Sequence, residues 1–220
     1  MSSPQRFKVA FIGSHGVGKT TLCYGLAARL KARDVSLEVV HEVARQCPLP
    51  INEKTSVAAQ SWILHTQVAA EIVAAERYPV AVCDRSVLDN YVYMMLAAGR
   101  QAALDTLVGA WMATYDLLVM VPIIDEPTPD GLRATDPSFQ HAVEDGVRRE
   151  LQRRELKAMM LDPEDRARAE EAAALREEDY QLAYAIDILK GLAALGPEAA
   201  RAAMEAQADA GSEDESSSEN

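Results

Sequence analysis

Positive charge is scarce in this chain. Its 220 residues carry 22 Lys and Arg against 34 Asp and Glu, a net charge of -12. An acidic surface repels phosphodiester backbones, which argues against a general nucleic-acid binder and leaves only local basic spots. Cysteine is almost absent. Cys23, Cys47 and Cys83 are odd in number and far apart, with no C-x-x-C pair. That excludes a disulfide framework or a zinc site and fits reduced thiols in a cytoplasmic protein. No apolar run approaches the roughly 18 residues that a membrane span needs. The first residues, Met1-Ser2-Ser3-Pro4-Gln5-Arg6, lead into a strand-like run without the apolar stretch of a signal peptide. A guanine-specifying N-K-x-D is also missing, which tilts the nucleotide choice towards ATP over GTP. What remains is ordinary for a soluble globule: 49% hydrophobic and 25% charged residues, enough for about one domain and a sizeable core.

Short β-favouring runs alternate with helical patterns. Strands are expected at Phe7–Ile12, Ser36–His41, Val80–Cys83 and Leu117–Val121. Helices are expected at Lys19–Arg33, Ser56–Ala75, Leu88–Ala98, Gln101–Met112 and Ser138–Arg153, the last unusually rich in arginine. Such alternation means βαβ units and a mostly parallel sheet covered on both faces. Leu156–Leu161 reads either as a fifth strand or as more helix, with the strand preferred. The proline- and carboxylate-bearing stretch 123–137 is a loop. The expected organisation is a nucleotide-binding domain over 1–165, an Ala/Glu-rich helical extension over 166–208 and a disordered acidic tail over 209–220.

Between the first strand and the first helix lies Gly13-Ser14-His15-Gly16-Val17-Gly18-Lys19-Thr20, which satisfies G-x-x-x-x-G-K-[ST] at every constrained position and in the required context. Glycines let the backbone curl so that its N–H groups face phosphate oxygens, and the helix N-terminus adds its positive dipole end. Lys19 is suited to the β- and γ-phosphates, and Thr20 to Mg²⁺. Thr21 completes the nucleotide-binding stretch. The alternative, a glycine-rich turn with a solvated lysine, is the weaker reading.

Ligands in open α/β sheets gather at the carboxyl ends of the strands. Asp84 closes the third strand, where it either holds Mg²⁺ or caps the next helix, a task Ser86 can also perform. Arg85 either grips phosphate with its planar fork or pairs with Asp89 at i+4. Glu42 ends the second strand and can hold or deprotonate a substrate hydroxyl, with Arg45 three residues on. Gln60, Gln67 and Glu71 fall on one face of the next helix, suited to gripping a base or pyridine ring. The plainer reading is a solvated polar face with Trp62 in the core, which for Trp62 is preferred.

In order, the phosphate loop, His41-Glu42-Val43-Ala44-Arg45, Gln60-Ser61-Trp62-Ile63 with Gln67 and Glu71, and Cys83-Asp84-Arg85-Ser86-Val87-Leu88-Asp89-Asn90-Tyr91 resemble one family. It is the AAA-type P-loop family that includes the kinase domains of NadR-like ribosylnicotinamide kinases; the chain is similar more distantly to deoxynucleoside and thymidylate kinases. The resemblance covers about residues 7–160. It implies a three-layer α/β P-loop fold, a purine nucleoside triphosphate with Mg²⁺, and phosphoryl transfer to a small acceptor. It places the acceptor acid on Glu42 and the Asp-Arg-Ser segment on Asp84, Arg85 and Ser86. It places an arginine-bearing lid on Asp130-Gly131-Leu132-Arg133 and on the helix with Arg148 and Arg149, although arginines on a helix are usually solvated. Leu161–Arg166 is the best candidate for a base-contacting loop.

Two functions fit. One is a kinase of a nucleoside-like or nicotinamide-riboside-like acceptor, with Lys19, Glu42, Asp84, Arg85 and Arg133 in the machinery and Glu42, Arg45, Gln60 and Gln67 at the acceptor. The other is an ATP- or GTP-dependent switch with slow hydrolysis, its C-terminal helices docking a protein partner. A ring-type motor is disfavoured, since a second acidic residue after Asp84 and a helical lid domain are not recognisable.

Overall fold

The computed structural model describes residues 6–51, 55–124 and 136–168. Its sheet is built from β1 (Phe7–Ile12), β2 (Leu37–Val40), β3 (Val80–Asp84), β4 (Leu117–Met120) and β5 (Met159–Met160). The order is β2-β3-β1-β4-β5, all parallel. The helices are α1 (Lys19–Lys31), α2 (Val57–Arg77), α3 (Val87–Ala98), α4 (Ala102–Met112) and α5 (Pro137–Arg153). A 3₁₀ turn at Val43–Gln46, too short to carry a periodic signal, follows β2.

Alternation along β1 shows why three layers form. Val9 and Phe11 point to one face and pack with Val82, Val119 and Val121 against Leu22, Cys23 and Leu26 of α1. Ala10 and Ile12 point to the other, where Leu64 of α2, Tyr91 and Met94 of α3, Met112 of α4 and Val147 of α5 cover them. A sheet buried on both faces needs apolar residues at consecutive positions, as these strands have. The α3 and α5 backbones approach closely because Gly146 has no side chain. A Cβ there would lie 2.6 Å from Val92 Cγ1.

Local chemistry sets the helix ends. Ser56 caps α2 by accepting from the Ala59 amide at 3.2 Å. Asp136 caps α5, one residue earlier than expected, with Pro137 pre-set for the first turn. Helix α5 stops at Arg153 because Glu155 adopts a left-handed backbone (φ 53°). Of the two readings of 156–161 the strand is therefore found, but shortened to two exposed edge residues, Met159 and Met160. Beyond it the chain turns helical at 163–168. The rest of the expected extension to 208, and the tail 209–220, lie outside the described residues. None of the helices among the described residues is long and apolar enough to cross a membrane.

The arginines of α5 are largely neutralised by carboxylates. Arg153 and Arg154 join Arg100 around Asp105 and the buried Glu150, with Arg154 Nη2 to Asp105 Oδ1 at 2.5 Å and Arg153 Nη2 to Glu150 Oε2 at 2.9 Å. Burial pushes the Glu150 carboxyl up, but the hydrogen bonds and charges of Arg153 and Arg100 outweigh it and hold the group at about 2. A depressed carboxylate stabilises the fold above its ordinary value of 4.5 and loses that contribution as pH falls towards 2. Glu150→Gln is expected to cost about 2 kcal/mol of stability at neutral pH. In urea unfolding, more than half of that gap should be gone at about pH 3. A gap that stays constant down to that pH contradicts the assignment.

Candidate functional site

The loop between β1 and α1 sits at the carboxyl ends of the central strands. Gly13 has φ 135°, and a Cβ on it would lie 2.6 Å from the Val121 carbonyl oxygen. Its own amide donates to Asp89 Oδ1 at 2.8 Å, which ties the loop to α3. Gly13→Ala should therefore push the loop off β4. The expected result is a lower melting temperature and nucleotide affinity down by about 10²-fold or more, both measured on the purified variant.

A cavity of 140 Å³ opens on this loop. It is lined by His15 to Thr21 together with Glu42, Asp84 and Arg85. The structure thus brings to one place residues that lie up to 70 positions apart. Lys19 is buried, and its ammonium donates to the Gly13 carbonyl at 3.0 Å and to that of Ser14. Burial, with Arg85 second, pushes this ammonium down to about 8, against the opposing pull of Asp89, Asp84 and Glu42. A bound polyphosphate would supply the anion it lacks. Thr20 Oγ1 donates to Asp84 Oδ2 at 2.5 Å. Hydroxyl and carboxylate oxygens are hard ligands of the kind Mg²⁺ takes alongside substrate phosphates. Among the described residues no cluster of three or more His, Cys, Asp or Glu is set to hold a metal. The Thr20–Asp84 pair fits a cation that takes its remaining ligands from phosphate and water.

Asp84 does not cap α3. Ser86 does, by accepting from Leu88 N at 3.1 Å, while Asp89 accepts from Ser86 N at 2.8 Å. This capping box was legible as S-x-x-D. Asp89 is accordingly occupied by Ser86 and Gly13, and the alternative pairing of Arg85 with Asp89 gives way to another partner. Arg85 Nη2 lies 2.7 Å from Glu42 Oε1, across the cavity. Arg45 Nε approaches Glu42 Oε2 at 3.4 Å. Burial alone would raise the Glu42 carboxyl, but Arg85, Lys19 and Arg45 together hold it below the ordinary range. Arg85 is itself buried, yet Glu42 keeps it firmly cationic.

Two aromatic residues that sequence reasoning passed over complete this wall. The Arg85 guanidinium lies 5.2 Å from the Tyr93 ring centroid, and the Tyr93 hydroxyl lies 3.0 Å from His15 Nδ1. Phe139 packs against both rings, 5.8 Å from His15 and 5.9 Å from Tyr93. Neither had a sequence signal, because α3 and α5 meet the loop only in the folded chain.

The polar face of α2 is not solvated. Gln60, Gln67 and Glu71 are all buried, whereas Trp62, expected in the core, is only half-buried. Gln60 donates to Thr55 Oγ1 at 2.9 Å. Gln67 turns its amide nitrogen to Glu71 (2.9 Å) and to the Arg85 carbonyl (3.4 Å), leaving its buried Oε1 without a hydrogen-bond partner. Arg148 pairs with Glu144 at 2.6 Å, and Arg149 donates to the Asp145 carbonyl. Both arginines are exposed, with partners on their own helix. Arg133 and the stretch 130–133 lie outside the described residues.

A family model described as an AAA domain (AAA_28) matches residues 8–169. A comparison with curated proteins gives no match. Among solved structures, the chain is similar to the NadR protein in complex with NR, at 23% identity and a TM-score of 0.61. That alignment covers 73% of this chain and 46% of NadR, so the chain spans about half the length of that relative. It is also similar to deoxyadenosine kinase from M. mycoides with bound dATP (15% identity, TM-score 0.53, 72% of this chain and 92% of that one). Thymidylate kinase from Ehrlichia chaffeensis aligns at 16% identity and a TM-score of 0.55, over 72% of this chain and 93% of that one. At these identities the likeness shows a shared fold.

Proposed function

This chain belongs to the AAA-domain family whose model spans residues 8–169, and on that premise we propose that it is a Mg²⁺-dependent P-loop kinase. Its donor is ATP, and its acceptor is a small hydroxyl compound of nucleoside-like or nicotinamide-riboside-like chemistry. The observation that carries this reading is the placement of the Glu42–Arg85 pair on the same cavity as Lys19, Thr20 and Asp84. The pair joins a buried guanidinium to a half-buried carboxylate that faces the phosphate loop, where a second substrate would enter. A kinase needs such a pair to orient the incoming hydroxyl.

The loop amides from Gly13 to Thr21 and the Lys19 ammonium hold the β- and γ-phosphates. Thr20 and Asp84 would hold Mg²⁺, which would supply charge neutralisation on the phosphate oxygens. The acceptor oxygen attacks the γ-phosphorus as the bond to the β-bridging oxygen breaks, and the hydroxyl proton passes to Glu42. The lowered basicity of Glu42 suits this role, because a loose transition state asks for orientation of the hydroxyl and only late proton removal. Arg85 keeps Glu42 ionised and adds positive charge beside the reacting oxygens. Arg45 stands beside Glu42 at the acceptor, and by resemblance to the family Arg133 would supply the lid arginine. The NadR structures hold NR in one case and NAD with AMP-PNP in another, which makes a ribosylated ring a sensible first acceptor to try.

Phosphorus NMR of the protein with ATP, Mg²⁺ and a mixture of nucleosides and nicotinamide riboside tests the reading. A new phosphomonoester resonance rising with ADP supports it; inorganic phosphate as the only product contradicts it.

A further inference from the structure

Glu71 stands apart from the cavity, fully buried near the end of α2. A carboxylate taken wholly out of water persists only when its lone pairs are met. Here four donors meet them. Lys8 Nζ and Trp111 Nε1 reach Oε2, each at 2.7 Å. The Tyr115 hydroxyl and Gln67 Nε2 reach Oε1, at 2.5 and 2.9 Å. Lys8 is further fixed by Thr114 Oγ1 at 2.5 Å and lies 4.3 Å from the Tyr115 ring centroid.

The two donors on Oε1 each continue to the segment that follows β3. Gln67 Nε2 also donates to the Arg85 carbonyl at 3.4 Å, and the Tyr115 hydroxyl accepts from the Val87 amide at 3.2 Å. The arms fix the Arg85 carbonyl and the Val87 amide on either side of Ser86, and the Arg85 amide donates to the Phe11 carbonyl at 3.2 Å, so both ends of Arg85, with φ 93°, are held. A non-glycine residue there is strained and stays only where its surroundings over-determine it. Relaxed to negative φ, the same residue would redirect its side chain away from Glu42. Among the described residues, the strained backbone thus coincides with the guanidinium that lines the cavity and pairs with Glu42.

We propose that Glu71, acting through Gln67 and Tyr115, is a positioning residue that holds the Arg85 backbone in its left-handed conformation and so aims the guanidinium at Glu42. The catalytic consequence rests on the kinase reading above; the positioning itself does not. The network begins at Lys8 on β1 and Trp111 on α4 and ends at the acceptor wall. Its members are spread over β1, α2, α4 and the α4–β4 connection, which is why no motif reveals it.

Tyr115→Phe tests this in the full-length chain, since it keeps the ring and deletes only the hydroxyl that joins Glu71 to Val87. The expected result is a melting temperature within a few degrees of the parent, unchanged ATP affinity and kcat about tenfold lower. In carbon-13 NMR the titration midpoint of the Glu42 carboxyl should rise by about one pH unit as Arg85 withdraws. In an Arg85→Ala background the same substitution should lower kcat no further. An undiminished tenfold loss in that background, or an unmoved Glu42 midpoint, overturns the proposal. Gln67→Leu cuts the other arm and, if Tyr115→Phe fails to fold, is read by the Glu42 titration alone: a raised midpoint supports the positioning and an unmoved one overturns it. If the parent protein transfers phosphate to no acceptor, the kinase reading fails while the Glu42 titration still decides the positioning role.

Discussion

Lys19→Ala is expected to abolish productive triphosphate binding and lower phosphoryl transfer by about 10³-fold or more. The size of the effect follows from where the ammonium sits. It is buried, it has only the loop carbonyls of Gly13 and Ser14 and the surrounding carboxylates for company, and burial has already pushed its pKa down to about 8. An incoming triphosphate is a far stronger partner than a peptide carbonyl, so most of the interaction is realised only with ligand. The substitution removes a buried charge whose desolvation opposes folding, so the melting temperature should not fall with the activity. Nucleotide titration and turnover on the same folded sample check it. Retained turnover would remove the phosphate-loop assignment and everything built on it.

Glu42→Gln is expected to separate donor from acceptor chemistry. The side chain keeps its shape and can still accept one hydrogen bond from Arg85, so ATP affinity should stay within about threefold. Transfer should fall by about 10²- to 10⁴-fold, because the amide neither takes the hydroxyl proton nor balances the Arg85 charge. The pH profile adds a sign. Glu42 is held ionised by Arg85, Lys19 and Arg45, so parent activity should persist well below neutral pH and decline only as the depressed carboxyl takes up its proton. The residual activity of the variant should lack that decline. Steady-state kinetics across pH, with a separate binding isotherm, measure both effects. Transfer left intact would make Glu42 a structural partner of Arg85.

The sheet was readable from the sequence because its strands are buried on both faces and so stand out as short apolar runs. The phosphate loop was readable because glycine spacing, lysine and threonine are each demanded by backbone geometry or phosphate charge. Asp84 and Glu42 were readable from position alone, at strand ends where ligands collect. What stayed hidden depends on contacts between distant elements. Arg85 had a sound local partner in Asp89, and only the fold shows that Asp89 is taken by Ser86 and Gly13 while Glu42 waits across the cavity. The Gln60–Gln67–Glu71 face has the periodicity of a solvated helix side. Its burial is met piecemeal: Lys8, Trp111 and Tyr115 arrive from β1, α4 and the connection to β4 to satisfy Glu71, and Thr55 takes the Gln60 amide. The fifth strand was ambiguous because two residues carry no period at all.

These differences bear on function. A polar helix face facing water would be free to grip a substrate ring, whereas a buried one committed to Glu71 and Arg85 stiffens the wall that the substrate meets. The acceptor is therefore met first by Glu42, Arg45 and Arg85, and its recognition rests on charge and hydroxyl geometry more than on amide contacts from α2.

The central claim is that the Glu42–Arg85 wall serves a second substrate. Turnover of ATP and of GTP should be measured with the purified protein alone, then against nucleosides, nucleotides and nicotinamide riboside added one at a time. The expected result is slow release of ADP without acceptor and a rise of about 10²-fold or more with one acceptor class, lost in Glu42→Gln. Tight nucleotide binding with turnover that no acceptor stimulates would contradict it and leave a nucleotide-dependent switch as the function of this site.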